Sequence, residues 1–202
     1  KLIKELHPLF NQKLRRSRQL CALRMNGDRP EVVYAKDIQF ATESGLYGLF
    51  NSHRAAQEGL RKLADQHKLC YGALGLEKSQ PGKACLRAML HQCAGFCRGD
   101  ESPNAHRQRL FTALLDLQIA TWPYPGTVGL VERFTPEQNE SALPPHANDV
   151  QIHVLRHWCY LGSVSKPEEA SALDCVAAGF DADGYKILCK PLLSGRSEII
   201  LL

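Results

Sequence analysis

Apolar residues near the start of the chain come in short alternating runs. Gln19–Met25 and Glu31–Ala35 predict two strands, and Asn26-Gly27-Asp28 between them is a strong turn signal that makes a hairpin. Leu46–Phe50, aromatic and glycine-containing, predicts a third strand. The period then changes. Ser52 is placed as an N-cap, and Ala55, Ala56, Leu60, Leu63 and Ala64 follow at helical spacing to about His67. Pro81-Gly82 breaks the chain, and Ala84–His91 predicts a short helix carrying Leu86, Met89 and Leu90. Pro103 starts another helix, with Leu110, Leu114, Leu117 and Ile119–Ala120 on its apolar side and an end near Pro123.

Thr127–Phe134 predicts a strand, and residues 135–148 are polar, proline-rich and without period, a long loop or linker. Val150, Ile152 and Val154 alternate as a strand that can continue toward Val164. Ser165–Leu173 has the start of a helix, with Ser165 as N-cap, Pro167 early and Glu168 at the third helical position. Asp181–Lys190 predicts a helix and Glu198–Leu202 a closing strand. Residues 1–6 read as a helix tail stopped by Pro8. The expected class is α+β, a helical cysteine-cluster module flanked by small antiparallel β elements, with a second small α+β domain. The expected divisions are a tail and basic linker at 1–18, the hairpin with the four-cysteine module at 19–121, and a small acidic domain at 122–202.

Composition narrows the options. At 202 residues and 44% apolar, the chain has enough apolar surface for one sizeable core or two small ones, which argues against disorder. It has no apolar run long enough for a transmembrane helix. It opens Lys1-Leu2-Ile3-Lys4-Glu5-Leu6, without Met, signal peptide or capping residue, so the expectation is a fragment of a longer protein residing in a reducing cytoplasm.

The net charge of +4 conceals a split: residues 1–110 stand at +9 and residues 111–202 at −5. A basic first part suggests a polyanion partner held without sequence specificity. No aromatic ladder interleaves Lys13–Arg18, so stacking on single strands is not indicated.

The eight cysteines are placed unevenly, with Cys70, Cys85, Cys93 and Cys97 close together and Cys21, Cys159, Cys175 and Cys189 scattered. In a reducing compartment, clustered thiols bind metal more often than they form disulfides. Four convergent thiolates suit a 4Fe-4S cluster, which needs one cysteine per iron. They equally suit tetrahedral zinc (Zn2+), although zinc sites usually draw on two short-spaced pairs and here only Cys93 and Cys97 are close. Cys85 and Cys93 can sit near opposite ends of the Ala84–His91 helix, and Gly95 permits a tight ligand loop. The scattered four read as buried core thiols. His153 and His157 could ligate metal if helical, but the stretch reads as strand; Asp181 and Asp183 read as a helix cap.

The segments Leu69-Cys70, Ala84-Cys85-Leu86-Arg87 and His91-Gln92-Cys93-Ala94-Gly95-Phe96-Cys97 resemble the cysteine region of the UvrC family, the nucleases of bacterial nucleotide excision repair. Leu2-Ile3-Lys4 with Pro8-Leu9-Phe10-Asn11 is similar to the last motif of the GIY-YIG nuclease domain that precedes that region. The stretch Leu14–Leu23, Val32-Val33-Tyr34-Ala35-Lys36 and the run from Gly179 through Asp183-Gly184-Tyr185 to Gly195 look closer to the shorter, Cho-type members. The resemblance covers about residues 1–131 and 150–195, and leaves out 135–148.

That resemblance implies a structure-specific endonuclease incising DNA on the 3′ side of a lesion, on the complex left by a UvrB-type damage-recognition protein, within the SOS response. It implies that Cys70, Cys85, Cys93 and Cys97 are 4Fe-4S ligands. The family's catalytic tyrosines, arginine and metal-binding glutamate fall upstream, the glutamate just before Lys1, so the divalent metal belongs to the missing nuclease domain. Asn11 alone matches a catalytic position, and His7 and Glu5 cannot assemble a centre beside it. The later helical hairpin and second nuclease domain of the longer relatives have no counterpart. Expected phosphate contacts are Lys13, Arg15, Arg16, Arg18, Arg61, Lys62, Lys83, Arg87 and Arg98, which would position a duplex rather than read it. The acidic part is the expected docking surface for the UvrB-type partner. The competing readings are a zinc or cluster module that tethers proteins without touching DNA, and a redox sensor whose cluster state sets DNA affinity.

Overall fold

A computed structural model describes residues 20–78, 83–133, 150–173 and 180–202. The helix tail expected at residues 1–6, Asn11, the basic residues Lys13, Arg15, Arg16 and Arg18, the linker at 135–148 and Cys175 lie outside the described residues. The chain divides into one unit over Lys1–Ile119 and another over Ala120–Leu202.

In the first unit, β1 (Cys21–Asn26), β2 (Arg29–Tyr34) and β3 (Leu46–Phe50) form an antiparallel sheet in the order β2-β1-β3. The β1–β2 turn passes through Gly27 at φ 60°, the left-handed region that glycine enters without steric cost. Arg24 and Glu31 stand directly opposite across the hairpin, and the Arg24 Nη2 donates to Glu31 Oε1 at 2.8 Å. Helix α1 (His53–Gln66) starts where Ser52 Oγ accepts the Ala55 N–H, and it buries Ala56, Leu60, Leu63 and Ala64 against the sheet. Helix α2 (Leu86–Met89) is a single turn, shorter than the predicted Ala84–His91. Helix α3 (Pro103–Leu115) is capped by Ser102, whose Oγ accepts the Ala105 N–H. It ends before the predicted Ile119–Ala120, because the following residues turn to the sheet edge. Gln118 bridges to Tyr47, and the Ile119 N–H donates to the Leu46 carbonyl at 2.8 Å. Sealing this core are Cys21, Leu23, Leu69, Leu110 and Leu114.

In the second unit, β4 (Val128–Arg133), β5 (Val150–Arg156), β6 (Cys159–Val164) and β7 (Glu198–Leu201) form an antiparallel sheet in the order β6-β5-β4-β7. The run from Val150 toward Val164 is therefore two strands. They are joined at His157 and Trp158, with φ of 52° and 65°. Positive φ at both turn positions matches the right-handed twist of a tight hairpin. Trp158 is fully buried and packs edge-on against Trp122 at 5.3 Å and Tyr185 at 5.0 Å. Pro167–Leu173 is a 3-10 helix rather than an α-helix. At its start the Glu169 carboxylate, not Glu168, accepts the N–H groups of Ser165 at 3.1 Å and Lys166 at 3.4 Å, while the Glu169 N–H closes an i to i+3 bond on Lys166. Helix α4 (Ala182–Leu193) begins as the sequence predicts, with the Asp181 carboxylate accepting the Asp183 N–H at 3.2 Å. The architecture is α+β, and among the described residues no helix is long and apolar enough to cross a membrane.

Candidate metal centre

The segment after α1 ties into the core through Leu69 and Leu74, and beyond them its cysteines converge. Cys70 sits in the turn that follows Leu69, whose N–H closes α1 on the Ala64 carbonyl. Cys85 is the N-cap of α2, its sulfur accepting the Ala88 N–H at 3.3 Å. Cys93 follows α2, and Cys97 lies in the 3-10 turn Phe96–Arg98. The Sγ atoms of all four lie within 4.8 Å of one another, and those of Cys85 and Cys97 are 3.5 Å apart. Cys70 and Cys93 are buried at the back of the group, and Cys85 and Cys97 are half-buried at its front. Gly95, at φ 89°, leads into the Cys97 turn, and a Cβ there would collide with the Asp100 side chain.

Each sulfur is also met by the backbone. N–H groups of Ala73 and Gly72 point at Cys70, that of Ala88 at Cys85, that of Gly95 at Cys93 and that of Cys85 at Cys97. Such donors stabilise thiolate charge, which a metal site requires. Burial pushes the thiols of Cys70, Cys85 and Cys93 above the usual cysteine range. Burial acts in the same direction on Cys97, but the Cys85 N–H and the neighbouring thiols outweigh it and bring Cys97 down. A bound cation would displace the protons that the four thiols hold. Four sulfurs backed by N–H donors can hold a metal ion, and they fit either metal form in donor type. Thiolates around a single zinc at about 2.3 Å stand roughly 3.8 Å apart. A cubane places four irons between the same sulfurs and needs them wider.

His106 stands outside the residues that the sequence marks as functional. It is the buried polar side chain of α3, and its Nε2 accepts the Cys70 N–H at 3.2 Å while its ring packs at a tilt against Phe96 at 4.7 Å. Burial holds its pKa below the usual histidine value. A signal for it exists: His106 extends the apolar stripe of Leu110, Ala113 and Leu114 by one turn, and a polar residue there needs a partner.

The expected phosphate contacts fall in different settings. Arg61 and Lys62 are exposed on α1, and Lys83 is exposed before α2. Arg87 is held inward: Nη1 lies 2.6 Å from Asp65, Nη2 donates to the Gln92 carbonyl at 3.0 Å, and the guanidinium covers the Tyr71 ring at 4.1 Å. Arg98 is paired with Asp100. His153 and His157 share no site, since His153 Nε2 meets Glu132 at 2.9 Å from β5 and His157 lies in the turn. Of the scattered cysteines, Cys21 is buried, whereas Cys159 and Cys189 are half-buried.

Four thiols placed so that they can hold a metal ion, in a chain with a second small α+β unit, define the class: a cysteine-cluster module followed by a small α+β unit. The UvrC/Cho excinuclease middle domain model matches residues 13–116, and the Excinuclease Cho C-terminal domain model matches residues 127–202. The chain belongs to the UvrC/Cho excinuclease family. It is 49% identical over 199 residues to Excinuclease cho of Shigella flexneri and of Escherichia coli K12, covering 98% of this chain and 63% of each relative. Identity to Excinuclease cho of Salmonella typhi is 47% over 200 residues, covering 99% and 64%. The chain therefore spans somewhat less than two thirds of the curated relatives it matches. No solved structure matches it.

Proposed function

We propose that this chain is the post-catalytic part of a DNA repair endonuclease of nucleotide excision repair, working in the reducing cytoplasm. In this reading Cys70, Cys85, Cys93 and Cys97 hold a 4Fe-4S cluster, and the first unit places the molecule on duplex DNA. The observation that carries it is the convergence of four N–H-backed sulfurs on a basic unit of an excinuclease family member. When bound, the cluster would cross-link the Cys70 turn, the start of α2, the Cys93 turn and the Cys97 turn, adding chelation to the core contacts of Leu69 and Leu74. Its own residues do the positioning. Lys13, Arg15, Arg16, Arg18, Arg61, Lys62 and Lys83 meet phosphates, Arg98 does so when it leaves Asp100, and Arg87 orients α2 through Asp65 and Tyr71. Incision on the 3′ side of a lesion is assigned to a metal-dependent GIY-YIG domain of the whole protein, with Asn11 its remnant here. The acidic second unit docks a UvrB-type damage-recognition protein, since its charge repels DNA.

The spacing of the sulfurs favours a second reading, a single structural zinc. Iron, sulfide and zinc measured in protein prepared strictly without oxygen separate the two. About four irons and four sulfides per chain support the cluster, whereas a colourless preparation with one zinc rejects it. Salt dependence of duplex binding tests the DNA-binding role. Reversing Arg15, Arg16 and Arg18 to Glu is expected to flatten the slope of log K against log salt by about 0.9 for each phosphate that is no longer neutralised. An unchanged slope and affinity would reject DNA binding through the basic segment.

A further inference from the structure

The single turn of α2 puts three large apolar side chains into solvent. Leu86, Met89 and Leu90 are 64%, 61% and 56% exposed, and their i, i+3, i+4 spacing gathers them on one face. The opposite face is fixed: Ala88 is buried against Cys70 and Cys93, and Cys85 caps the turn with its sulfur. Arg87 clamps the side of the turn to Asp65 of α1 and to the Tyr71 ring. Apolar groups left this exposed add little to folding, and the Ala88, Cys85 and Arg87 contacts fix the turn that carries them.

Charge around them names the partner. From Lys78 to Arg98 the sequence has no acidic residue, and Lys78 and Lys83 are exposed. Arg61 and Lys62 are exposed on α1, the helix whose Asp65 pairs with Arg87 and accepts the Tyr71 hydroxyl at 2.8 Å. Three side chains are far too little surface for a stable protein interface, which buries about 800 Å² per partner. They match the gap opened at one base step, and the basic rim matches the flanking phosphates.

We propose that Leu86, Met89 and Leu90 form an apolar wedge that enters a base step of duplex DNA from the minor groove, with Lys83 and Arg61 on the adjoining phosphates. This rests on the DNA-contact reading above and adds how the protein deforms its substrate. A wedge has to be stiff to unstack bases, and the four-cysteine centre stands directly behind it.

The test uses the whole chain, metal-loaded, and short duplexes carrying at successive positions a fluorescent purine analogue that brightens when unstacked. Wild-type protein is expected to brighten the analogue at one step. A Leu86→Ser/Met89→Ser/Leu90→Ser variant is expected to lose the brightening and to bind about tenfold more weakly with the same salt slope, because apolar groups release no counterions. Metal content of that variant shows that the unit is intact, and a Leu86→Met/Leu90→Met variant, still apolar, is expected to keep the signal. Binding with normal salt dependence but no brightening at any position, or equal brightening by the serine variant, overturns the wedge and leaves DNA binding standing. Absence of duplex binding by the wild type overturns both. A serine variant that binds DNA normally but loses a UvrB-type protein makes the patch a protein seat and also overturns the wedge.

Discussion

His106 links the helical core to the cysteine turn through one atom. Its ring nitrogen is the acceptor for the Cys70 N–H, and both groups are buried, so neither has water as an alternative. Replacing His106 with Ala leaves that N–H without a partner and removes the ring packed on Phe96. The expected cost is about 2–4 kcal/mol, read as a lower unfolding midpoint of the first unit at fixed metal loading. His106→Gln, which can still accept the bond, is expected to recover part of the loss. Arg87 offers a second measurement at this scale. Lys cannot reproduce a guanidinium that meets Asp65 and Gln92 while sitting over the Tyr71 ring. Arg87→Lys is therefore expected to cost about 1–2 kcal/mol in the same unfolding assay. An unaltered midpoint would mean that the clamp contributes nothing to stability.

The β5–β6 turn shows how much an element can conceal. The β1–β2 hairpin is legible because Asn26-Gly27-Asp28 carries the residue types that a left-handed turn favours. His157 and Trp158 do the same job without those types, so the sequence shows one long strand. The Trp158 side chain compensates for its backbone by filling the core, a tertiary effect that no local pattern contains. Likewise, Glu169 rather than Glu168 takes the Ser165 N–H, and the turn winds as 3-10. The cysteine spacing does reveal the candidate site, because ligand type and proximity in sequence survive without knowing the path between them. His106 stays hidden, because its role depends on a hydrogen bond to Cys70, far away in sequence. His157→Asn is expected to stabilise the second unit, since Asn tolerates positive φ, with a rise in thermal midpoint of about 2–6 °C. It should also flatten an acid limb. Burial, with Arg156 nearby, holds the His157 pKa below its ordinary 6.5, so the unfolded chain binds the proton more tightly. This contribution is complete above that value and is lost as pH falls below it toward the folded pKa. Parallel melts of wild type and variant from neutral to mildly acid pH check both effects.

At the scale of the whole molecule, the two units differ in what holds them. The first combines an apolar core of sheet and helices with four thiols that can hold a metal ion, whereas the second rests on aromatic packing around Trp122, Trp158 and Tyr185. The charge split along the sequence follows the same division, and the first part carries the basic excess. Both tryptophans of the chain lie in the second unit, so tryptophan fluorescence follows that unit alone. Visible absorbance, if the site holds a cluster, follows the first. Removing the metal takes away a ligand that binds only the folded state, which lowers the stability of the first unit by about 4 kcal/mol or more for a tightly held ion. The second unit has its own core, and the four thiols lie outside it. Denaturant unfolding after stripping the metal is therefore expected to show the far-ultraviolet transition broadened and shifted to lower denaturant, with the tryptophan transition unmoved. A tryptophan transition that shifts with the metal would show instead that the acidic unit depends on the cysteine centre for its stability, and the whole chain would unfold as one.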